Sequence, residues 1–381
     1  MTKQQDKISG ELIDRSSSGR KRPWSQHKRQ ARAIAASLWR TYRKNPRANA
    51  DMGRRSDRIH GCGNMLTFGD KLNCDTGEVN RRLVGAMFCK DRLCPLCAWR
   101  KSLVMFNQMV ELTSTIQVRE PDLVPIFLTL TVRNCESADL ADTLTALTRG
   151  WSAMFTSRGR RRPWRIAAGW FRAVEITYNK QEGTWHPHIH ALVYVSRKYF
   201  EDPTMYMDHD AWMAEWRDVM HLDYDPWVDV RAVRPDDRKG LAGAVAEVAK
   251  YAVKPGEWVD LDDEEGTDER VALLATVMRR RRMTAFGGIM KEVRAELKHK
   301  DVDDADLINT DEEFIAGGEV TIKLYRYAYD LKTRRYILIA IEDLLADGKA
   351  DAVGEAVPDG APPDGAPPDG APPGEEAREA A

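Results

Sequence analysis

Trp170-Phe171-Arg172-Ala173-Val174-Glu175-Ile176-Thr177-Tyr178 and Trp185-His186-Pro187-His188-Ile189-His190-Ala191-Leu192-Val193-Tyr194-Val195 are two apolar, β-branched and aromatic runs separated by a turn at Gln181-Glu182-Gly183. That pattern predicts a β-hairpin. Side chains two apart share a face of a strand, so His188 and His190 point one way while Ile189, Ala191 and Val193 point the other. With the turn centred between Gln181 and Glu182, Glu175 falls opposite His188, on the face away from Val174 and Ile176. Two imidazoles and a carboxylate then converge. This donor set suits Mn²⁺ or Mg²⁺ beside a phosphate substrate, and zinc could occupy it too. A lone His-x-His is commonly a chance feature of a surface strand; the carboxylate in register makes it a candidate metal site.

Around this hairpin strands and helices alternate. Val124–Val132 reads as a strand, Ala138–Phe155 and Asp210–Met220 as helices, and Trp227–Val233 as a further strand. A helix over Leu241–Val253 is stopped by Pro255-Gly256. Beyond lie an acidic loop, helices near Glu269–Arg281 and Gly288–Leu297, and strands at Val320–Tyr327 and Arg335–Ile341. Strands spaced by helices around one tight hairpin predict an α+β fold: a mostly antiparallel sheet carrying helices on one face.

Ahead of the sheet, Cys62, Cys89, Cys94 and Cys97 form the pattern C-x26-C-x4-C-x2-C. Four closely spaced thiolates satisfy a tetrahedral structural zinc. Cys74 could replace Cys62, and His60 is an outside candidate. A redox CxxC would leave two cysteines unexplained.

On the helix before Pro255, Glu247 and Tyr251 are four apart and share a face, with Lys250 beside Tyr251 and Lys254 three beyond it. A phenol with a reference pKa of about 10 is a poor nucleophile unless a cation or a metal-polarised electrophile assists it. Glu247 is placed to act as a base on the phenol or on a water. Taken alone, the pair also fits an ordinary amphipathic helix.

The chain has 381 residues, 43% of them hydrophobic and 31% charged, which suits packed domains and excludes a wholly disordered chain. No apolar run approaches the roughly 20 residues of a membrane span, and there is no secretory h-region, so a cytoplasmic chain is expected. The net charge of −1 hides an asymmetry. Residues 1–101 carry 23 Lys/Arg against 9 Asp/Glu, and residues 300–381 carry 8 against 20. A basic front half is the footprint of a nucleic-acid partner, although such runs also occur on inert surfaces. We expect a basic flexible arm over 1–58, with a possible helix near Gln26–Lys44, and a cysteine-rich element over 59–101. The strand-helix block fills 102–260, an extension 261–345, and a disordered Pro/Gly/Asp-rich tail 346–381.

Three motifs in order then resemble one family: Phe127-Leu128-Thr129-Leu130-Thr131 with Asn134, the His188-Ile189-His190 strand, and the Glu247/Lys250/Tyr251/Lys254 helix. The chain resembles the bacterial rolling-circle plasmid replication initiators of the HUH endonuclease superfamily, in the group with a single nucleophilic tyrosine. The cysteine segment Cys89–Arg100 looks like the cluster that precedes motif one in that group.

The resemblance implies a five-stranded, ferredoxin-like antiparallel sheet, with 102–260 as the nickase domain. It implies Tyr251 as the nucleophile that keeps a 5′ phosphate and His188 and His190 as metal ligands, with Glu175 our inferred third. Glu247 would activate water for the terminating cleavage. Plasmid origin DNA, a host helicase, a polymerase and a single-strand binding protein are the implied partners. Arg160, Arg161 and Arg162, with Lys250, are candidates to hold backbone phosphates. A mobilisation relaxase or single-strand transposase shares such a site. A non-catalytic zinc-ribbon DNA-binding protein and a water-using metal phosphoesterase are rivals of other classes.

Overall fold

The computed structural model describes residues 10–345, apart from 17–18, 157–160, 234–237, 250–257, 261, 309 and 311–318. Its N-terminal part forms two helices, α1 (Trp24–Lys44) and α2 (Ala50–Gly61). In α1, Trp24, Ala31, Ile34, Ala35 and Leu38 recur at helical spacing and are buried, while Arg43 and Lys44 in the last turn complement the helix dipole. The possible helix near Gln26–Lys44 is present as α1, and the flexible arm expected around it is corrected over α1 and α2. A narrow apolar stripe is enough to dock a helix, and the basic residues around it dilute the stripe in the composition. Lys28 lies in the stripe, fully buried, and its Nζ donates to the carbonyls of His60 (2.9 Å) and Cys62 (2.6 Å).

The chain continues through β1 (Met65–Asn73), β2 (Val79–Ala86), α3 (Pro95–Arg119), β3 (Leu123–Thr131), α4 (Leu140–Met154) and α5 (Arg162–Ile166). The predicted hairpin follows as β4 (Ala167–Asn179) and β5 (Thr184–Ser196). Then come α6 (Lys198–Glu201), α7 (His209–Met220), β6 (Val228–Ala232) and α8 (Arg238–Ala249). The remaining elements are α9 (Glu264–Val277), β7 (Thr284–Gly288), α10 (Ile289–Glu296), β8 (Glu319–Asp330) and β9 (Arg335–Asp343).

Two antiparallel sheets result, and the fold is α+β as expected. The larger has the order β6-β3-β5-β4-β7, with each neighbouring pair antiparallel. Its edge strand β7 is illegible in the sequence because it ends in Gly287-Gly288. There the chain needs φ near 53° at Gly288, where a Cβ would run into the Ala168 carbonyl.

Helices cover both faces of this sheet, where the sequence predicts them on one. Leu128, Leu130, Ile189 and Val174 pack into the core shared with α4 and α7. Phe127, Phe171, Leu192 and Tyr194 pack on the other side, against α3, α8 and α10. The reason lies in β3, which is buried residue after residue rather than in alternation.

The smaller sheet has the order β2-β1-β8-β9. Strands of the cysteine-rich stretch thus share a sheet with strands of the C-terminal extension, and Tyr336 Oη donates to the Gly63 carbonyl at 2.6 Å. No helix among the described residues is long and apolar enough to cross a membrane.

Candidate active site

Three adjacent strands bring the site together. β5 pairs His190 with Thr129 and His188 with Thr131 on β3, and it pairs His188 with Glu175 on β4. The Glu175–His188 register is the one the turn dictates. Asn179 Oδ1 accepts from the amides of Gln181 and Glu182, and Gly183 closes the turn at φ 72°. All five side chains lie on the face that also bears Phe127 and Ala173. Glu175, His188 and His190 are only 4%, 8% and 8% exposed.

The donor atoms converge. His188 Nε2 and His190 Nε2 are 3.1 Å apart, and Glu175 Oε2 lies 3.2 Å from the latter and 3.6 Å from the former. Around an ion at about 2.1 Å, donors at roughly octahedral to tetrahedral angles stand about 3.0–3.4 Å apart, so the set fits a divalent cation.

The tautomers agree with this fit. His188 Nδ1 lies 3.1 Å from the His186 carbonyl, which can only accept, so this nitrogen carries the proton and Nε2 presents its lone pair. His190 Nδ1 lies 3.1 Å from Thr129 Oγ1 and can donate to it, leaving its own Nε2 for a metal. His186 extends the row, 2.9 Å from Asn134 Oδ1, and burial lowers its pKa. The motif-one residues Thr129 and Asn134 thus orient histidines, a role the bare sequence motif does not announce.

Glu247 sits on α8, half-buried. This helix packs through Val245 and Val248 on the same face of the sheet as Glu175, His188 and His190. Tyr251, Lys250 and Lys254, and also Arg160, lie outside the described residues. Arg161 and Arg162, expected as phosphate contacts, are instead engaged within the chain. Arg161 pairs with Glu215 (2.9 Å) and Asp218 (2.7 Å), and Arg162 donates to the carbonyls of Pro203, Thr204 and Tyr206.

The second cluster joins Cys62 at the C-cap of α2, Cys89 in the loop after β2, Cys94 at the N-cap of α3 and Cys97 in its first turn. Their sulfurs all lie within 4.8 Å of one another, with Cys62–Cys97 at 3.5 Å and Cys89–Cys97 at 3.7 Å. Tetrahedral zinc–thiolate bonds of about 2.3 Å separate sulfurs by about 3.8 Å, so the four fit such an ion. Of the candidates for the fourth position, Cys62 is in the group and Cys74 is exposed elsewhere. Hydrogen bonds from Cys89, Cys94 and Cys97 hold the Cys62 thiol well below its ordinary pKa. Burial pushes Cys94 up, and the bond to Cys62 raises Cys97.

Comparison with known proteins agrees with this arrangement. A family model described as replication protein matches residues 80–337, a span that includes Glu175, His188, His190, Glu247 and three of the four cysteines. The chain is 32% identical over 339 residues to "Protein rep" of Lactiplantibacillus plantarum, covering 85% of this chain and 98% of the relative. It is 33% identical over 313 residues to "Protein rep" of Streptococcus pneumoniae, covering 81% and 89%. With "Protein rep" of Lentilactobacillus hilgardii it shares 35% identity over 270 residues, covering 70% and 82%. No solved structure matches the chain. A sheet face carrying two histidines and a glutamate, a four-cysteine cluster ahead of it, and matches running through both place this chain in the replication protein family, among the Rep proteins of plasmid replication.

Proposed function

We propose that the chain initiates rolling-circle replication as a single-tyrosine HUH endonuclease. It binds the double-strand origin, nicks one strand, carries the cut end as a 5′-phosphotyrosine, and ends the round by a second cleavage and rejoining. The observation that carries this is the convergence of Glu175, His188 and His190 on the face against which the Glu247 helix packs.

A divalent ion, Mn²⁺ or Mg²⁺, held by those three residues would polarise a phosphate oxygen and offset the charge of an in-line displacement. Tyr251 Oη forms the new bond to phosphorus and the 3′ oxygen leaves. The phenolic proton passes to Glu247 or to solvent, and the departing oxygen takes one up. One phosphoester replaces another, so the cut needs no nucleotide hydrolysis, and the free 3′-OH can prime a polymerase. Lys254 favours the phenolate, and Lys250 and Arg160 hold backbone phosphates. Glu247 later activates the water of the terminating cleavage. Zinc at the four cysteines is structural. The chain acts in the cytoplasm with a host helicase, polymerase and single-strand binding protein.

Incubation with a single-stranded origin oligonucleotide and Mn²⁺ should yield a protein–DNA adduct that survives denaturation. Tyr251→Phe should abolish it, and Glu247→Ala should still nick but terminate poorly. Cleavage without an adduct would point to a water-using phosphoesterase and overturn the proposal.

A further inference from the structure

Arg172 stands on β4 between Phe171 and Ala173, so its side chain leaves the sheet on the face opposite Glu175. It is 6% exposed, and its Nε and Nη1 are buried without a hydrogen-bond partner. It borders a cavity of about 210 Å³ between β4 and α4, walled by Leu144, Thr148, Val174 and Met283 and by two further arginines, Arg281 and Arg282. Arg281 is fixed in place by donating to the carbonyls of Val277 and Ala141 and to Thr145 Oγ1, which are all neutral acceptors. Arg282 is exposed at the edge of the cavity. Among the described residues no carboxylate pairs with any of the three.

A buried guanidinium without a counter-charge costs several kcal/mol, and burial alone depresses the Arg172 pKa to about 10. The group still carries its proton at neutral pH. Three arginines lining one small space, with no acid among the described residues to balance them, describe a receptor for an anion. The volume lies below the range of about 300–1,000 Å³ typical of small-molecule pockets, which favours a single compact group over a whole nucleotide. Guanidinium groups suit a tetrahedral oxyanion, to which they can donate in pairs.

We propose that the cavity between β4 and α4 is a phosphate-binding site, with Arg172 as its buried anchor, Arg281 as its fixed wall and Arg282 at its mouth. Its ligand is a phosphate group, supplied by a DNA backbone or by a free phosphate compound. Arg282 also borders a second cavity of mixed charge, where Arg92, Lys291 and Arg294 stand with Asp301 and Asp303 and Arg92 is paired with Asp303 at 2.6 Å. The site lies on the opposite face from Glu175 and stands whether or not the chain cuts DNA.

The test uses the full-length protein with Arg172→Met and Arg282→Gln, followed by thermal unfolding against inorganic phosphate at constant ionic strength set with chloride. Phosphate should raise the wild-type midpoint in proportion to log phosphate once its concentration passes Kd, Arg282→Gln should move that onset to about tenfold higher phosphate, and Arg172→Met should abolish the rise. Without phosphate, Arg172→Met should unfold no earlier than wild type, because an uncompensated charge has been removed; a merely structural arginine would give an earlier midpoint. If that variant does not fold, Arg282→Gln decides alone. No phosphate effect on the wild type beyond that of chloride, or one unchanged by Arg282→Gln, overturns the proposal. The source is read from a single-stranded oligonucleotide. If DNA supplies the group, the oligonucleotide competes with phosphate, and Arg282→Gln flattens the slope of log K against log salt by about 0.7. If a free compound supplies it, both bind together and the slopes agree.

Discussion

Thr129→Val isolates how the protein aims a metal ligand. The hydroxyl of Thr129, 4% exposed, lies 3.1 Å from His190 Nδ1 on the neighbouring strand. Valine keeps the shape and removes the acceptor, so the His190 ring loses the contact that fixes its tautomer and rotation. Loss of such an outer partner lowers metal affinity about 10–100-fold, which is about 1.4–2.7 kcal/mol. Thr131→Val provides the control. Thr131 lies opposite His188, but its Oγ1 donates to the Trp227 carbonyl at 2.8 Å, and His188 is oriented by the backbone carbonyl of His186. Its replacement should change metal affinity by less than about twofold, although it removes a hydrogen bond worth about 1 kcal/mol to stability. Titration of the full-length protein with Mn²⁺ by calorimetry, with the cysteine cluster kept zinc-loaded, measures both. Wild-type affinity in Thr129→Val, or equal losses in the two variants, would show that this hydroxyl does not position the imidazole.

Three other outcomes follow from the packing. Trp24 is 2% exposed, meets the Trp99 ring edge-on at 4.7 Å, and donates through Nε1 to Asp14 at 2.6 Å. Trp24→Ala should therefore cost about 3–5 kcal/mol in urea unfolding, and a loss below about 1 kcal/mol would mean that α1 is not docked. Arg40 holds Asp268 with two hydrogen bonds of 2.8 and 2.7 Å, tying α1 to α9. Burial opposes ionisation of Asp268, but the two bonds and the charge of Arg40 outweigh it and keep the carboxyl below its ordinary pKa. The stabilisation is thus complete above the unfolded value of about 4 and fades as pH falls through the folded value. The midpoint gap between wild type and Asp268→Asn should shrink on acidification across that window; a constant gap contradicts the assignment. Finally, Cys97→Ser should lower tightly bound zinc by one per chain in elemental analysis, and unchanged content would rule out the four-cysteine site.

The hairpin and its register were legible because one short turn fixes the pairing from Asn179–Thr184 out to Gly169–Tyr194, including Glu175 with His188. The cysteine cluster was legible because spacing limits which sulfurs can meet, although Cys62 and Cys74 could be told apart only in three dimensions. The docking of α1 was hidden: its buried stripe includes Lys28, whose charge is accommodated by two carbonyls from a different helix end. The second helical layer was hidden too, since a continuously apolar strand such as β3 does not say how many sides are covered. The orienting role of Thr129 depends on a cross-strand distance that no linear pattern carries.

The pairing of β1 with β8 has a consequence for how the molecule is made. Asp70 sits beside Lys323, so the hairpin of β1 and β2 borders a strand that leaves the ribosome about 250 residues after it. Until then one long edge of β1 lacks its neighbour, and the Gly63 carbonyl lacks the Tyr336 hydroxyl. A nascent copy that lacks β8 therefore cannot close this sheet. The free edge of β1 is closed only by chain made long after it.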